Sequence, residues 1–285
     1  MGNKLDYSGR CKLVMLLICL SSLVHAQEER RQYFPKKMDF PENLPPKKDV
    51  WIFIMAGQSN MAGRGVVEPP DTLSNSRILT INRDNEIIIA KEPLHFYEPN
   101  LTGLDCGVSF ARELIRHRNS ITILLVPAAV GGSSSTQWLG DSLHRNVRLL
   151  SNFKTRVEAV KKYGTMKGIL WHQGETDASK LELIRSYQAR WLAVMKSLRD
   201  ELGDVPIVVG ELGQFLYGRE KNDYAMARMV NEQLAQLAVN GTRVAFVSSG
   251  GLNHKGDVLH LDSPSLREFG RRYAHAFLML EPNWK

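Results

Sequence analysis

From residue 50 to about 281, short and almost wholly apolar runs alternate with longer stretches in which apolar side chains return every three or four positions. The first kind is expected of strands buried on both faces, the second of helices with one buried stripe. Val50–Ala56, Ile121–Val126, Gly168–His172, Pro206–Gly210 and Val244–Ser248 predict five strands. Helical spacing covers 108–117, 143–163 (stopped by Gly164), 181–201 and 223–239. A final helix is predicted from Ser263 as N-cap, with Pro264 at the first helical position, to about Leu280. Arg77–Ile81 and Glu86–Ala90 flank the turn cluster Asn82-Arg83-Asp84-Asn85 and predict a hairpin. Strands alternating with helices predict an α/β fold, a three-layer doubly wound sheet of about five parallel strands in one domain over 50–281.

The ends of the chain follow a different pattern. Lys4, Arg10 and Lys12 precede an apolar run from Leu13 to Val24 that ends at Val24-His25-Ala26. A basic start, a short apolar stretch and a small terminal residue predict a signal peptide cleaved after Ala26, and hence a secreted, extracellular protein. The run is short for a bilayer span, which needs about 20 apolar residues. Residues 27–49, rich in Pro, Lys, Arg and Glu, predict an extended lead-in. Export would expose the sequons at Asn100 and Asn240 to glycosylation.

Composition narrows the function classes. With 43% hydrophobic and 24% charged residues the chain is globular rather than disordered. Its formal charge is +7 without a run of five or six basic residues, which argues against nucleic acid as a partner. Loss of the leader would remove three basic residues and one acidic one, leaving +5 and a single cysteine, Cys106. No internal disulfide is then possible, and a buried, small apolar role is expected for Cys106. Neither a Cys/His array with zinc spacing nor a dinucleotide or P-loop glycine pattern occurs, so no metal or organic cofactor is expected.

In open parallel sheets, ligands bind beyond the carboxyl ends of the strands. The residues that follow the five strands are Gly57-Gln58-Ser59-Asn60, Ala129-Val130-Gly131-Gly132-Ser133, Gln173-Gly174-Glu175, Glu211-Leu212-Gly213-Gln214, and a loop with His254, Asp257 and His260. Polar groups and glycines thus gather at one edge. A hydroxyl needs an adjacent base to become a nucleophile. Ser59 is the candidate nucleophile. His260 is preferred to His254 as its base because Asp257, three residues earlier, can reach one imidazole nitrogen and leave the other for Ser59. Donors aimed at the developing oxyanion are worth roughly 3–4 kcal/mol each. The candidates are the N–H of Ser59, the N–H of Gly132 and the side-chain amide of Gln173. Gly-x-Ser, Asp-x-x-His and Gly-Gly-Ser are each common turn sequences. Their placement after different strands of one sheet is what points to a serine hydrolase.

These blocks resemble the SGNH hydrolase superfamily and, within it, carbohydrate esterase family 6 with its sialate O-acetylesterase domain, which includes plant carbohydrate esterases and acetylxylan esterases. The resemblance rests on Ile54-Met55-Ala56-Gly57-Gln58-Ser59-Asn60-Met61-Ala62-Gly63, Gly131-Gly132-Ser133, Trp171-His172-Gln173-Gly174-Glu175-Thr176-Asp177 and Asp257-Val258-Leu259-His260, and covers about 48–281. It implies an O-acetylesterase with Ser59 as nucleophile, His260 as base, Asp257 as acid partner and Gly132 in the oxyanion hole. Gln173 takes the place usually held by asparagine. Asn60 and Glu175 are expected to orient the loop, with a structural ion pair an equal alternative for Glu175.

The expected partner is an acetylated oligo- or polysaccharide, such as a cell-wall polymer. Trp138, Phe215 and Tyr217 could offer stacking surfaces, whereas Trp171 is expected in the core. Two other readings stay open: a catalytically silent carbohydrate-binding protein on this fold, and a hydrolase of longer-chain esters.

Overall fold

The eight residues Val50–Gly57 form strand β1, and all are buried. A strand turns successive side chains to opposite faces. Ile52, Ile54 and Ala56 therefore enter one core, and Trp51, Phe53 and Met55 another. One strand that feeds two cores requires a covering layer on each side. The computed structural model, which describes residues 31–218 and 226–281, has that arrangement. The predicted leader and the signal-cleavage site lie outside the described residues.

Seven strands form the main sheet: β1, β2 (Ile78–Ile81), β3 (Ile87–Ile89), β4 (Thr122–Pro127), β7 (Thr165–His172), β8 (Ile207–Gly210) and β9 (Val244–Val247). Their order is β3-β2-β4-β1-β7-β8-β9, and every neighbouring pair is parallel except β2 with β3. The expected five parallel strands are all present. The predicted hairpin is also present, with Leu79 opposite Ile89. Its first strand lies parallel to β4, so the hairpin extends the sheet to seven strands.

One face carries α2 (Gly107–His117) and α8 (Ser263–Leu280). Phe53 contacts Phe110 of α2 and Phe277 of α8 edge-to-face, with ring centroids 4.8 and 4.9 Å apart. Each such pair adds about 0.5–1.5 kcal/mol beyond burial. The other face is covered by α3 (Ser135–Leu139), α4 (Leu149–Val160), α5 (Leu181–Arg185), α6 (Tyr187–Leu202) and α7 (Ala227–Asn240). A four-residue helix, α1 (Ser59–Ala62), follows β1 directly. Among the described residues, no helix is long and apolar enough to cross a membrane.

Three helix boundaries differ from expectation. The predicted helix 143–163 begins only at Leu149. Leu143–His144 (β5) and Val147–Arg148 (β6) instead pair as a small hairpin around Arg145 and Asn146, which both have positive φ. That is the mirror-image turn suited to two-residue hairpin loops. Leu143, Val147 and Leu150 happen to fall at helical spacing, which concealed it. The predicted helix 181–201 breaks at Ser186, just before the fully buried Tyr187, whose hydroxyl donates to the carbonyl of Gln173. The last helix is capped by Asp262, which accepts the N–H of Ser265, rather than by Ser263, whose hydroxyl donates to the carbonyl of Val66. The start predicted at 223 for the fourth helix lies outside the described residues. Cys106 is buried, with its sulfur 3.8 Å from that of Met61 and its thiol pKa raised by burial.

Candidate active site

The path from β1 into α1 is forced by Gly57. Its φ is +134°, and a Cβ there would lie 2.0 Å from the carbonyl oxygen of His172. Only glycine fits so close to β7 in that conformation. The chain turns sharply and places Ser59 at the carboxyl edge of the sheet, 6% exposed. The Nε2 of His260 lies 3.1 Å from Ser59 Oγ, and its Nδ1 lies 2.7 Å from Asp257 Oδ2. The structure thus brings a hydroxyl, an imidazole and a carboxylate from opposite ends of the domain into one hydrogen-bonded series.

Asp257 has a second task. Its Oδ1 accepts the N–H groups of Leu259 and His260 at 2.9 and 2.8 Å, closing the turn that presents the imidazole. Val258 within that turn has a φ of +54°. His254, the other histidine of the loop, spends its Nδ1 on the N–H groups of Gly256 and Val258. It therefore shapes the loop and leaves the contact with Ser59 to His260.

Burial alone would raise the pKa of Asp257, but the hydrogen bonds from the His260 backbone, the His260 ring and the Leu259 backbone outweigh it and hold the carboxylate below its usual range. His260 is also held below the ordinary histidine value. Burial is the largest cause, Lys255 and Arg64 act in the same direction, and Asp257 opposes them. A lowered pKa keeps the imidazole neutral, and able to accept a proton, in mildly acidic solution. The acid limb of kcat/KM is therefore expected to have its midpoint below about pH 6.5. A pH-rate profile with a midpoint above 7 would contradict this assignment of the base.

Asn60 and Glu175 are hydrogen-bonded to each other beside Ser59. The Asn60 amide donates to Glu175 Oε1 at 2.6 Å and to the carbonyl of Leu259 at 3.3 Å, and its oxygen accepts the N–H of Leu261 at 3.0 Å. It thus grips both neighbours of His260. Glu175 also contacts His172 Nε2 at 3.2 Å. Burial would raise the pKa of Glu175, but His172 and Asn60 outweigh it and keep it low. Removing Glu175 takes away the nearest acceptor of Asn60 and the buried contact of His172 Nε2. Glu175→Ala is expected to cost about 3 kcal/mol in urea unfolding; a change under 1 kcal/mol would contradict the role.

The loop after β4 approaches from the other side. Gly132 has a φ of +76°, and the Ser133 hydroxyl donates to the carbonyl of Gly57, docking this loop onto the turn that carries Ser59. Among the described residues, no acceptor is assigned to the N–H of Ser59 or Gly132. The preceding N–H, that of Gly131, donates to Glu98, which also pairs with Arg64 at 2.7 Å and with Arg145. His144 Nε2 contacts the carbonyl of Gly131 at 2.9 Å. Sequence reasoning missed this clamp. Arg64 directly follows the first recognisable block, but Glu98 lies in a loop without any pattern and Arg145 in the hairpin that the apolar spacing concealed.

Gln173 departs from expectation as an oxyanion donor. Its amide nitrogen faces three acceptors: Asp177 at 2.5 Å, the Ser133 carbonyl at 3.1 Å and Gln58 Oε1 at 3.3 Å. An amide has two N–H bonds. Both are engaged in joining the loops after β1, β4 and β7, so the side chain braces the site. Asp177, a support the sequence did not single out, also holds Ser135 and Arg190. Trp138 is corrected as well. Like Trp171 it is fully buried, and the two rings meet edge-to-face at 5.3 Å, so neither can stack on a ligand. Phe215 and Tyr217 are only partly buried.

Residues 49–279 match the family described as carbohydrate esterase, sialic acid-specific acetylesterase. The Probable carbohydrate esterase At4g34215 of Arabidopsis thaliana is 31% identical over 265 residues, spanning 84% of this chain and 95% of that one. The crystal structure of that protein superposes with a TM-score of 0.70 at 30% identity, covering 82% and 99% of the two chains. XAC1771 from Xanthomonas citri, a carbohydrate acetylesterase, shares the fold with a TM-score of 0.61 at 20% identity, covering 81% of this chain and 56% of that one. A seven-stranded α/β sheet, a serine–histidine–aspartate series at its carboxyl edge and a match over nearly all the described residues lead to one conclusion: the chain belongs to the sialic acid-specific acetylesterase family of carbohydrate esterases and is a carboxylic ester hydrolase.

Proposed function

We propose that this protein removes O-acetyl groups from carbohydrate through an acetyl-serine intermediate. The observation that carries the reading is the continuous contact Ser59 Oγ, His260 Nε2, His260 Nδ1, Asp257 Oδ2. Ser59 attacks the acetyl carbonyl as His260 takes the hydroxyl proton. Asp257 holds the tautomer that leaves Nε2 unprotonated and stabilises the imidazolium that forms. The N–H groups of Ser59 and Gly132 receive the carbonyl oxygen as it becomes negative. The C–O bond to the sugar breaks and the sugar oxygen takes the proton from His260. Water, deprotonated by His260, then attacks the acetyl-serine, and acetate leaves as Ser59 regains its proton.

The substrate we favour is an acetylated oligo- or polysaccharide of the cell wall, met outside the cell after removal of residues 1–26. Support for export comes from the sequence of those residues, and a secreted form beginning at Gln27 checks it. The mature charge of +5 favours polymers bearing acidic sugars, an attraction that weakens with salt. The deciding experiment is acetate release from acetylated xylan, pectin, mannan and sialic acid, alongside acetate and octanoate esters of one alcohol. Release from at least one glycan, with acetate preferred over octanoate, is expected. Turnover of octanoate alone would overturn the proposal, as would failure to turn over any ester.

A further inference from the structure

We propose that Glu113, His117 and His275 form a binding site for a divalent transition-metal ion of the zinc type, joining helix α2 to helix α8. None of the three belongs to the catalytic series. Glu113 and His117 are four residues apart on α2 and therefore share one face of that helix. His275 arrives from α8, 162 residues away from Glu113. The helices come close because α8 carries Gly270 where it crosses α2. A Cβ there would stand 2.1 Å from the Ser109 hydroxyl and 2.3 Å from the carbonyl of Cys106. The crossing fixes the position of His275 relative to α2.

The spacing of the ligand atoms suits a metal. Glu113 Oε1 lies 3.3 Å from His117 Nε2 and 3.1 Å from His275 Nε2. All three atoms lie within 4.8 Å of one another, the only such group of three or more among the described residues. Around zinc, with bonds of about 2.0–2.1 Å, neighbouring corners of a tetrahedron stand about 3.3 Å apart. Two edges of that tetrahedron are already in place. The other Glu113 oxygen, Oε2, is held by Arg116 at 3.3 Å, which leaves Oε1 turned to the imidazoles. Two imidazoles with one carboxylate favour zinc, copper or nickel over calcium or magnesium. The imidazoles are 42% and 57% exposed, so an ion can enter and water can complete its shell.

This goes beyond the sequence, which contains no Cys/His array with zinc spacing. The third ligand is supplied by packing. Because the ion would touch neither Ser59 nor His260, it is expected to stabilise the fold without being required for ester cleavage. It would act as a clip between the two helices that cover one face of the sheet.

The test is thermal unfolding of the EDTA-treated full chain with and without ZnCl2, for the wild type and for His275→Ala. A ligand at 100 times its Kd is expected to raise the Tm of the wild type by about 5 °C. His275→Ala should lose that rise. Cobalt(II) provides a second readout, with a visible absorption band of low-coordinate Co²⁺ in the wild type that disappears in both His275→Ala and His117→Gln. No zinc-dependent rise in the wild type, or an equal rise and an equal cobalt band in the variants, overturns the proposal. Acetate release that persists after EDTA treatment separates this site from the esterase reading, so the two fail independently.

Discussion

Ser59→Ala is expected to lower kcat for acetate release by about a million-fold, to the level that binding and backbone donors alone sustain. The reasoning is local. Alanine removes the atom that forms the covalent bond and leaves His260 without the proton it would accept. The Ser59 backbone is set by Gly57 and by the N–H of Gln58 on the His172 carbonyl, neither of which needs the hydroxyl. Unfolding temperature should therefore stay close to that of the wild type, and a fluorophosphonate probe should no longer label the protein. A loss smaller than tenfold in a folded variant would mean that Ser59 is not the nucleophile.

Asp257→Asn is expected to lower kcat by about ten-thousand-fold with little change in stability. The two carboxylate oxygens have separate tasks, and asparagine can perform only one. Its carbonyl oxygen can still accept the N–H groups of Leu259 and His260 and keep the turn closed. Its NH2 then faces Nδ1, which must become an acceptor. The ring proton moves to Nε2, the nitrogen that should take the proton of Ser59. Asp257→Ala loses both tasks, and each missing backbone contact adds about 1 kcal/mol of destabilisation. Equal melting temperatures of the Asn and Ala variants would mean that the turn does not depend on residue 257. Separated melting temperatures are predicted instead. Loss of the carboxylate also removes the group that opposes the other influences on His260, so any residual activity should have its acid limb at still lower pH.

The central strands were legible because burial on both faces leaves no choice of residue. Every position of β1 and β4 is apolar or small, apart from Thr122 at the start of β4. The candidate site residues were legible for the opposite reason: they break that pattern where each strand ends. Gln173 shows the limit. Its place after β7 is plain from sequence, but the direction of its side chain depends on Asp177, Gln58 and the Ser133 carbonyl, three partners that only the fold assembles. The β5–β6 hairpin was hidden because three apolar residues imitated a helix. Glu98 carries no local signal, since its importance lies in being reached by Gly131, Arg64 and Arg145 from separate segments.

The grip of Asn60 on residues 259 and 261 has a consequence for how the protein can change. Ser59 and His260 are 201 positions apart, yet the amide of the residue next to Ser59 bonds both neighbours of His260. Lengthening the surface connections between strands can remodel the approach to the sheet edge while this short ruler stays intact. New substrates can therefore be accommodated by changes in the periphery, with the distance between Ser59 and His260 inherited unaltered.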